Sequence, residues 1–296
     1  MRRISILIIT CFLPITNLFA GNPKGDPVFK IASFNIQYDN QRDKINTWEK
    51  RLPGVVAVFN KYQFDIVGAQ EPYLSQLNDL MPQIPDYAYL GINILGDTAT
   101  VVLRRHHTPI FYKKEKFDVL DWGTFWYSET PDVPGKKGWD AYSPRICTWA
   151  KFKDKQSQKE FYIFNNHFDH LGDIARRESP KLLLAKIKEI ADGYPVLTMG
   201  DFNTNQYHHN YKILSESGVV KDSYQIARNI RNSNTPTYND YNPDQKGSSR
   251  IDHIYVSIKP EVKVKSYRII TDSYKGIYPS DHFPVLIEAE ISEKIK

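Results

Sequence analysis

Short apolar segments recur along this chain, and most of them are followed at once by a carboxylate, an amide or a histidine. Their β-branched and aromatic content predicts strands at 29–34, 66–69, 100–103, 146–152, 161–164, 196–199, 251–256 and 285–291. Helical patterns lie between some of them, at 48–62, 176–192 and 208–217. Because helices and strands do not alternate one for one, the order predicts an α+β or mixed layered sandwich.

The N-terminus has the pattern of an export signal. Arg2 and Arg3 precede an apolar run at 4–19, and Ala20-Gly21 offers a small-residue cleavage site. That run is too short for a membrane span, and Thr10 is a poor residue to precede a lipid-bearing Cys11. We therefore expect a signal peptide at 1–20, one domain at 21–296, and a secreted or periplasmic protein with no stable membrane span.

Composition is that of an ordinary globular protein, with 41% hydrophobic and 25% charged residues in a chain of 296. No repeat or Gly/Ser-rich linker divides the chain, and we expect a monomer. Loss of the signal peptide would lower the net charge from +5 to about +3 and leave Cys147 as the only cysteine. This balance permits an anionic substrate without indicating a nucleic-acid surface, and Cys147 is expected to be a buried apolar residue.

The polar residues that follow the strands form a regular set. Asn35 and Glu71 follow the first two strands, and the pairs His167/Asp169 and Asp201/Asn203 follow two later ones. Residues two apart in an extended segment share a face, so each pair can point at one object. Asp252, Asp281 and His282 complete the set.

Each member also has an ordinary structural explanation. Glu71 could cap a loop, the segment 200–203 could be a plain turn, His167 could be a hydrogen-bonded core histidine and Asp252 a paired strand carboxylate. These explanations do not account for six such positions at strand ends. Carboxylates, amides and histidines without cysteine form a hard-ligand set that suits Mg²⁺ or Mn²⁺.

Six short motifs in order resemble those of the endonuclease/exonuclease/phosphatase superfamily, in particular a bacterial secreted branch of it. They are Ser33-Phe34-Asn35, Gln70-Glu71, Asn166-His167, Gly200-Asp201-Phe202-Asn203, Arg250-Ile251-Asp252-His253 and Ser280-Asp281-His282. The resemblance implies a DNase I-like four-layer α/β/β/α sandwich, with two packed mixed sheets flanked by helices. It places the active site where strand ends of both sheets meet.

The same resemblance assigns roles to these residues. Glu71 would be the main metal ligand, with Asn35 and Asp281 close by or completing the shell. Asp201 and Asn203 would position and activate the attacking water. His282, oriented by Asp252, would bind the phosphate, and His167 would be a second phosphate contact. Hydrolysis of a phosphate ester needs such a held water and positive charge on the non-bridging oxygens.

Three features depart from the family pattern or add to it. Gln37 stands where several nuclease branches have an acidic residue. Asp169 and His170 extend the histidine motif and would contact phosphate or metal, or pair with Arg176 or Arg177. The segment 122–148 is rich in Trp and Tyr and would either bind bases or sugars or pack upon itself.

Arg145, at the end of this segment, is the best single candidate for a further phosphate contact. The sequence thus predicts a metal-dependent hydrolase of phosphate esters, with a phosphodiesterase placed first. A phosphatase or phosphodiesterase acting on sugar, inositol or lipid phosphates is the main alternative to a nuclease. A binding module without catalysis is the third, against which the complete polar set speaks.

Overall fold

The computed structural model describes residues 26–96, 104–242 and 244–293, which build two stacked β-sheets with helices on both outer faces. Within these residues the first sheet has seven strands, which lie side by side in the order β10 (Asn229–Arg231), β12 (Val262–Ile269), β13 (Val285–Ile291), β1 (Val28–Asn35), β2 (Ile66–Gln70), β4 (Ile110–Lys113) and β3 (Tyr87–Leu90).

The second sheet has six strands in the same part of the chain, and their spatial order is β5 (Phe117–Trp126), β6 (Ile146–Asp154), β7 (Glu160–His167), β8 (Val196–Asp201), β11 (Asp252–Ser257) and β9 (Val220–Asp222). Between the sheets lies an apolar layer that includes Ile31 and Ile66 of the first sheet and Ile163, Leu197 and Ile254 of the second. Complete burial of each such side chain contributes roughly 1.5–3 kcal/mol, so this layer is a main source of stability.

Helices cover both outer faces. The bounds are α1 Trp48–Tyr62, α2 Leu74–Leu80 followed by a 3₁₀ turn at Met81–Gln83, α3 Asp173–Ala191, α4 Tyr211–Ser215 and α5 Ser223–Ile226. Val55 and Phe59 of α1 share a buried cluster with Phe34 of β1, while Leu183 and Ile187 of α3 share one with residues of the second sheet. The result is an α/β/β/α sandwich.

Strand direction decides where the polar residues gather. β1 runs parallel to β2, and β7 runs parallel to β8, so within each sheet two carboxyl ends lie side by side. β13 runs antiparallel to β1, and β11 runs antiparallel to β8. The starts of β13 and β11 therefore lie at the same edge, where the loop containing His282 enters β13 and Asp252 begins β11.

The predicted sandwich of two mixed sheets is confirmed, and α1 and β13 have the expected bounds. Sequence patterns missed β3, β4, β5, β9, β10 and β12. The expectation that every site residue follows a strand is wrong for Asp252, which opens β11, and for Asp281 and His282, which precede β13. The antiparallel strands bring these residues to the same edge.

The first residues of the segment 122–148 complete β5. Phe125, Trp126 and Tyr127 are buried, as the packing alternative expected, whereas Tyr142 is exposed. Cys147 is completely buried, as expected. The predicted signal peptide and the strand at 100–103 lie outside the described residues. In the described part of the chain, no helix is long and apolar enough to cross a membrane.

Candidate active site

Polar contacts hold the two sheets together at the site edge. The side-chain nitrogen of Asn165, in β7, donates to the carbonyls of Ala69 and Pro109 at 2.7 Å, and its oxygen accepts from Gln70 Nε2 at 2.7 Å. A Cβ at position 68 would lie 2.7 Å from Asn165 Oδ1, so only glycine allows this approach. The spacing of the sheets is therefore fixed directly beside the site.

Asn35 joins carboxylates from the two sheets. Its Nδ2 lies 3.3 Å from Glu71 Oε1 and 3.1 Å from Asp201 Oδ2, and it donates to both. His167 Nε2 and His282 Nε2 approach the same Asp201 oxygen to 3.6 and 3.8 Å. Asp201 thus lies at the centre of the site, as the sequence motifs imply.

Three residues of the site have left-handed backbone conformations. Their φ angles are 53° at Gln37, 75° at Glu71 and 47° at Asn203. A non-glycine residue with positive φ costs energy, and surrounding bonds must hold it there. The backbone N–H and the side-chain amide of Asn203 donate to Asp201 Oδ1 and to the carbonyl of Phe168 at 2.9 Å each. The strained backbone positions Gln37, Glu71 and Asn203 therefore lie at or beside the site.

Asp252 and His282 form a buried pair in which Nδ1 lies 2.9 Å from Oδ2. Burial alone would lower the pKa of His282, but Asp252, Asp201 and Asp281 raise it well above the usual range. At neutral pH the ring is therefore a cation. With Nδ1 bonded to Asp252, the Nε2–H remains to face a substrate anion.

Asp201 and Asp281 are carboxyl groups with raised pKa values. Burial, together with the neighbouring charge of Asp252, raises the pKa of Asp201 to about 7. Burial, reinforced by Glu71, raises the pKa of Asp281 to about 6. A carboxyl group with a pKa near the working pH can accept and release a proton, which is the requirement for a general base.

Glu71 behaves in the opposite way. Burial opposes its ionisation, but the histidines His106 and His282, with hydrogen bonds from Tyr38 N and Asn35 Nδ2, lower its pKa below the usual value. Burial also lowers the pKa of His106 itself, so the lasting positive charge near Glu71 at neutral pH belongs to His282. These contacts favour the ionised form of Glu71.

Arg145 is a second cation at the site. Its guanidinium lies 2.9 Å from His167 Nε2, 2.9 Å from His170 Nδ1 and 3.4 Å from Asp169 Oδ2. Burial, then the positive charge of Arg145, lowers the pKa of His167 well below the usual range. A neutral imidazole can accept the guanidinium hydrogen, so these groups are arranged as donor and acceptors.

Asp169 supports this group from beneath. It is completely buried, and its carboxylate accepts hydrogen bonds from the backbone of Tyr142, Leu171 and Gly172 as well as from Arg145. The predicted alternative of pairing with Arg176 or Arg177 is wrong, because those arginines bond Asp173 and Glu178. The placement makes Asp169 a support for Arg145, and its predicted contact with substrate stays a prediction.

The site opens into a cleft of about 650 Å³. Among the predicted residues, its lining includes Glu71, Arg145, His167, His170, Asp201, Asn203, Asp281 and His282, while Asn35, Asp169 and Asp252 lie behind it. Further lining comes from Tyr38, Tyr73, Arg104, Arg105, His106, Tyr142 and Tyr238. Most of the predicted site residues therefore meet in one cleft.

Two groups of side chains bring ligand atoms within 4.8 Å of one another: Glu71, His106 and His167, and Asp201, Asp252 and His282. The predicted ligand set of Asn35, Glu71 and Asp281 shares only Glu71 with them. Its carboxylate and amide oxygens nevertheless suit a hard divalent cation. No lysine or arginine forms an ion pair with Glu71 or Asp281 among the described residues, so their charge is available to a cation.

Sequence reasoning missed His106. This residue lies just before β4, which runs antiparallel to β2, and the backbone N–H of Glu71 donates to the carbonyl of His107 at 3.1 Å. The His106 ring stacks on His167 with centroids 6.4 Å apart. Two adjacent histidines, His106 and His107, shortly before the apolar run at 110–112 were the available signal. The polar pattern used for prediction looked for residues after strands rather than before them.

The architecture and the site together define a phosphoester hydrolase of the two-sheet sandwich type. The chain belongs to the Endonuclease/Exonuclease/phosphatase family, whose profile matches residues 32–282.

Two solved structures are similar over nearly the whole domain. An endonuclease/exonuclease/phosphatase family protein from Bacteroides thetaiotaomicron is 39% identical, with a TM-score of 0.84 over 90% of this chain and 99% of that one. A mannosyl-6-phosphatase of the same bacterium is 40% identical, with a TM-score of 0.83 over 88% and 99%. An uncharacterised protein of Acanthamoeba polyphaga mimivirus is 28% identical over 215 residues, 67% of this chain and 78% of its own length.

Proposed function

We propose that this protein is a metal-dependent phosphatase that removes a terminal phosphate from a sugar phosphate. The observation that carries the proposal is the pair of buried cations, His282 and Arg145, in a cleft of about 650 Å³ to which the exposed Arg104 and Arg105 add further positive charge. A phosphate monoester carries up to two negative charges and a diester carries one. Two buried cations and two exposed arginines, in addition to a bound metal, match the monoester better.

The size of the cleft and one relative support a small substrate. A volume of this order is typical of small-molecule sites, and the relative that is 40% identical is a mannosyl-6-phosphatase. Of the aromatic segment 122–148, Tyr142 reaches the cleft, while its lysines Lys136 and Lys137 are absent from the lining. The phosphodiesterase activity that the sequence placed first stays a prediction. We propose a phosphatase instead because of the positive charge of the cleft and its small volume.

Asn35, Glu71 and Asp281 would hold the metal, for which we propose Mg²⁺ or Mn²⁺. When bound, such an ion supplies positive charge to a non-bridging phosphate oxygen. His282 would donate its Nε2–H to a second oxygen, and Arg145 would bind a third. His282 Nε2 lies 3.8 Å from Asp201 Oδ2, and Arg145 bonds His167, whose Nε2 lies 3.6 Å from the same oxygen, so a phosphate that they hold would lie next to this carboxylate.

Asp201 would take the proton of the attacking water. It is the central carboxylate of the site, and its pKa of about 7 leaves it able to accept a proton near neutral pH. Asn203 also lines the cleft and would orient the same water. Asp252 keeps the His282 ring charged and fixed in direction. In this way each of these residues has one task in an in-line displacement.

The test is a substrate panel with metal add-back. Mannose 6-phosphate, glucose 6-phosphate, inositol phosphates, a chromogenic diester and single- and double-stranded DNA would be offered with Mg²⁺, Mn²⁺ or EDTA. We expect phosphate release from the sugar monoesters, loss of it in EDTA, and at least about 100-fold less in Asp201→Ala. Preferential cleavage of DNA or of the diester would refute the proposal.

Two further expectations are also proposals. We propose that residues 1–20 are removed on export, which N-terminal sequencing of protein recovered from a periplasmic or culture fraction would test. We propose a monomer in solution, which light scattering would test.

A further inference from the structure

Gln37 lies two residues after Asn35, and its backbone is held on every side. Its N–H donates to Asn35 Oδ1 at 3.0 Å. Its carbonyl accepts from the Arg51 guanidinium at 3.1 Å and from Gln76 Nε2 at 2.9 Å. Such bonds hold the backbone at its left-handed φ of 53°.

The side chain of Gln37 connects Asp281 with Tyr241. Nε2 donates to Asp281 Oδ2 at 2.7 Å, and Oε1 accepts from the Tyr241 hydroxyl at 2.5 Å. An ionised carboxylate can only accept, so the amide nitrogen must face Asp281 and the amide oxygen must face Tyr241. The hydroxyl of Tyr241 is therefore a donor, and it selects the orientation of the amide that Asp281 requires.

Tyr241 is itself fixed to the backbone of Asp281. The N–H groups of Asn239 and Asp240 donate to the Asp281 carbonyl at 2.7 and 3.2 Å, and Tyr241 N donates to Asn239 Oδ1 at 2.8 Å. Asp240 and Tyr241 both have left-handed backbones, with φ of 49° and 57°. The bonds thus form a closed ring that starts at the carbonyl of Asp281 and returns to its carboxylate.

Every direct partner in this ring is neutral. Asp281 Oδ2 accepts from Gln37, and Oδ1 accepts from Ser280 Oγ at 3.2 Å. These donors orient the carboxylate without cancelling its charge, as lysine or arginine would. Neutral groups that orient a metal-ligating side chain are a recurring feature of metal sites, and their loss typically weakens metal binding about 10- to 100-fold.

We propose that Gln37 and Tyr241 are positioning residues that aim the Asp281 carboxylate at a divalent cation. The inference rests on the proposed function in so far as Asp281 serves a metal. It gives Gln37 a task at the position where several nuclease branches of the family have an acidic residue. It also gives the loop at 237–242 a task, since Tyr241 sets the direction of a group on another loop.

Mn²⁺ binding to the purified full chain, measured by calorimetry, tests this inference without relying on turnover. Tyr241→Phe removes one hydroxyl, and Gln37→Met removes both polar groups at similar length. We expect Mn²⁺ affinity about 3- to 10-fold weaker in the first and about 10- to 100-fold weaker in the second. The metal concentration for half-maximal activity should rise in parallel, while kcat at saturating metal stays within about threefold.

The control is Tyr62→Phe. Tyr62 is the last residue of α1 and lies outside the cleft lining, and its hydroxyl donates to Asp272 at 3.0 Å. This variant should bind Mn²⁺ as the unaltered protein does. Unchanged Mn²⁺ affinity in both Gln37→Met and Tyr241→Phe would overturn the inference and leave the proposed function in place. Failure of the unaltered protein to bind Mn²⁺ would overturn both.

Discussion

The side-chain amide of Asn35 donates to Asp201 Oδ2 over 3.1 Å, so an amide of one sheet bonds the central carboxylate of the other. The same nitrogen donates to Glu71 Oε1 at 3.3 Å. One neutral donor thus keeps two carboxylates close together. The site depends on this arrangement, because a divalent cation binds best where anions are held near one another before it arrives.

Asn35→Asp replaces this donor with a third carboxylate of nearly the same shape. We expect the metal-free protein to lose about 2 kcal/mol or more of unfolding free energy, since like charges would be buried together. Added Mg²⁺ should recover part of the loss. Thermal denaturation in EDTA and in Mg²⁺ measures both, with the exposed Asn60→Asp on α1 as the control. Equal effects of the two substitutions would show that Asn35 does not hold the carboxylates together.

Asp201→Asn should stabilise the metal-free protein at alkaline pH. The pKa of Asp201 rises from 3.8 to about 7 on folding, so the folded state binds the proton more tightly. The ionised carboxylate therefore destabilises the folded protein. This loss of unfolding free energy grows as pH rises from about 4 to 7 and is complete above 7. Asn removes a penalty of about 1–3 kcal/mol. Denaturation in EDTA at pH 8 and pH 4 measures it.

The gain in unfolding free energy of Asp201→Asn should appear at pH 8 and be absent at pH 4, while activity is lost at both. A variant that is less stable than the unaltered protein at pH 8 would show that Asp201 is not under electrostatic strain.

Asp252→Asn should shift the titration of His282. Asp252 is the largest influence that raises the pKa of this ring, so its loss moves that pKa downward. A raised histidine pKa gives stability that is complete below the unfolded pKa of about 6.5 and is lost as pH rises through the folded pKa. We expect kcat to fall about 10²- to 10⁴-fold. The alkaline limb of its pH profile should begin at lower pH.

Ring NMR signals of His282 give the same titration without turnover. An unchanged titration in Asp252→Asn would mean that the buried pair does not set the charge of the ring.

Arg145→Lys should lower kcat/KM for monoesters about 10- to 100-fold, because an ammonium cannot make the fixed bonds to His167 and His170 and still bind phosphate. Asp169→Asn is the matched comparison. It removes charge beneath the guanidinium but keeps an acceptor oxygen, so we expect a loss of about 1–3 kcal/mol in stability and a smaller loss of kcat/KM. Steady-state kinetics and denaturation are both needed.

If Asp169→Asn reduces kcat/KM as much as Arg145→Lys does without loss of stability, Asp169 acts on the substrate directly, as the sequence motif suggested.

Motifs next to apolar strands, through the family resemblance that they carry, predicted the two-sheet sandwich and eight of the residues that line the cleft. The pattern failed at short strands such as β9 and β10, which have three residues each and too little periodicity to detect, and it also failed at the longer strands β5 and β12. It also failed at His106, whose place depends on β4 running antiparallel to β2. Neither the direction of a strand nor the order of neighbouring strands can be found from local sequence patterns, since both follow from the packing of the whole sheet.

Side-chain hydrogen bonds between residues far apart in the chain were also not predicted from the sequence. Arg51 is almost completely buried and donates to the carbonyls of Ile36 and Pro279, yet in the sequence it resembles any helix arginine. The Gln37–Tyr241 contact joins residues 204 apart. Such contacts are visible only once the chain is folded, and they decide how the carboxylates are aimed.

The most direct test compares one sugar phosphate as monoester and as its methyl diester, with purified protein stripped of metal and then supplied with Mg²⁺. Both substrates share the sugar and differ by one charge and one methyl group. The account predicts kcat/KM at least about 100-fold higher for the monoester, abolished by EDTA and strongly reduced in Arg145→Lys. Faster hydrolysis of the diester, or metal-independent release of phosphate, would contradict it.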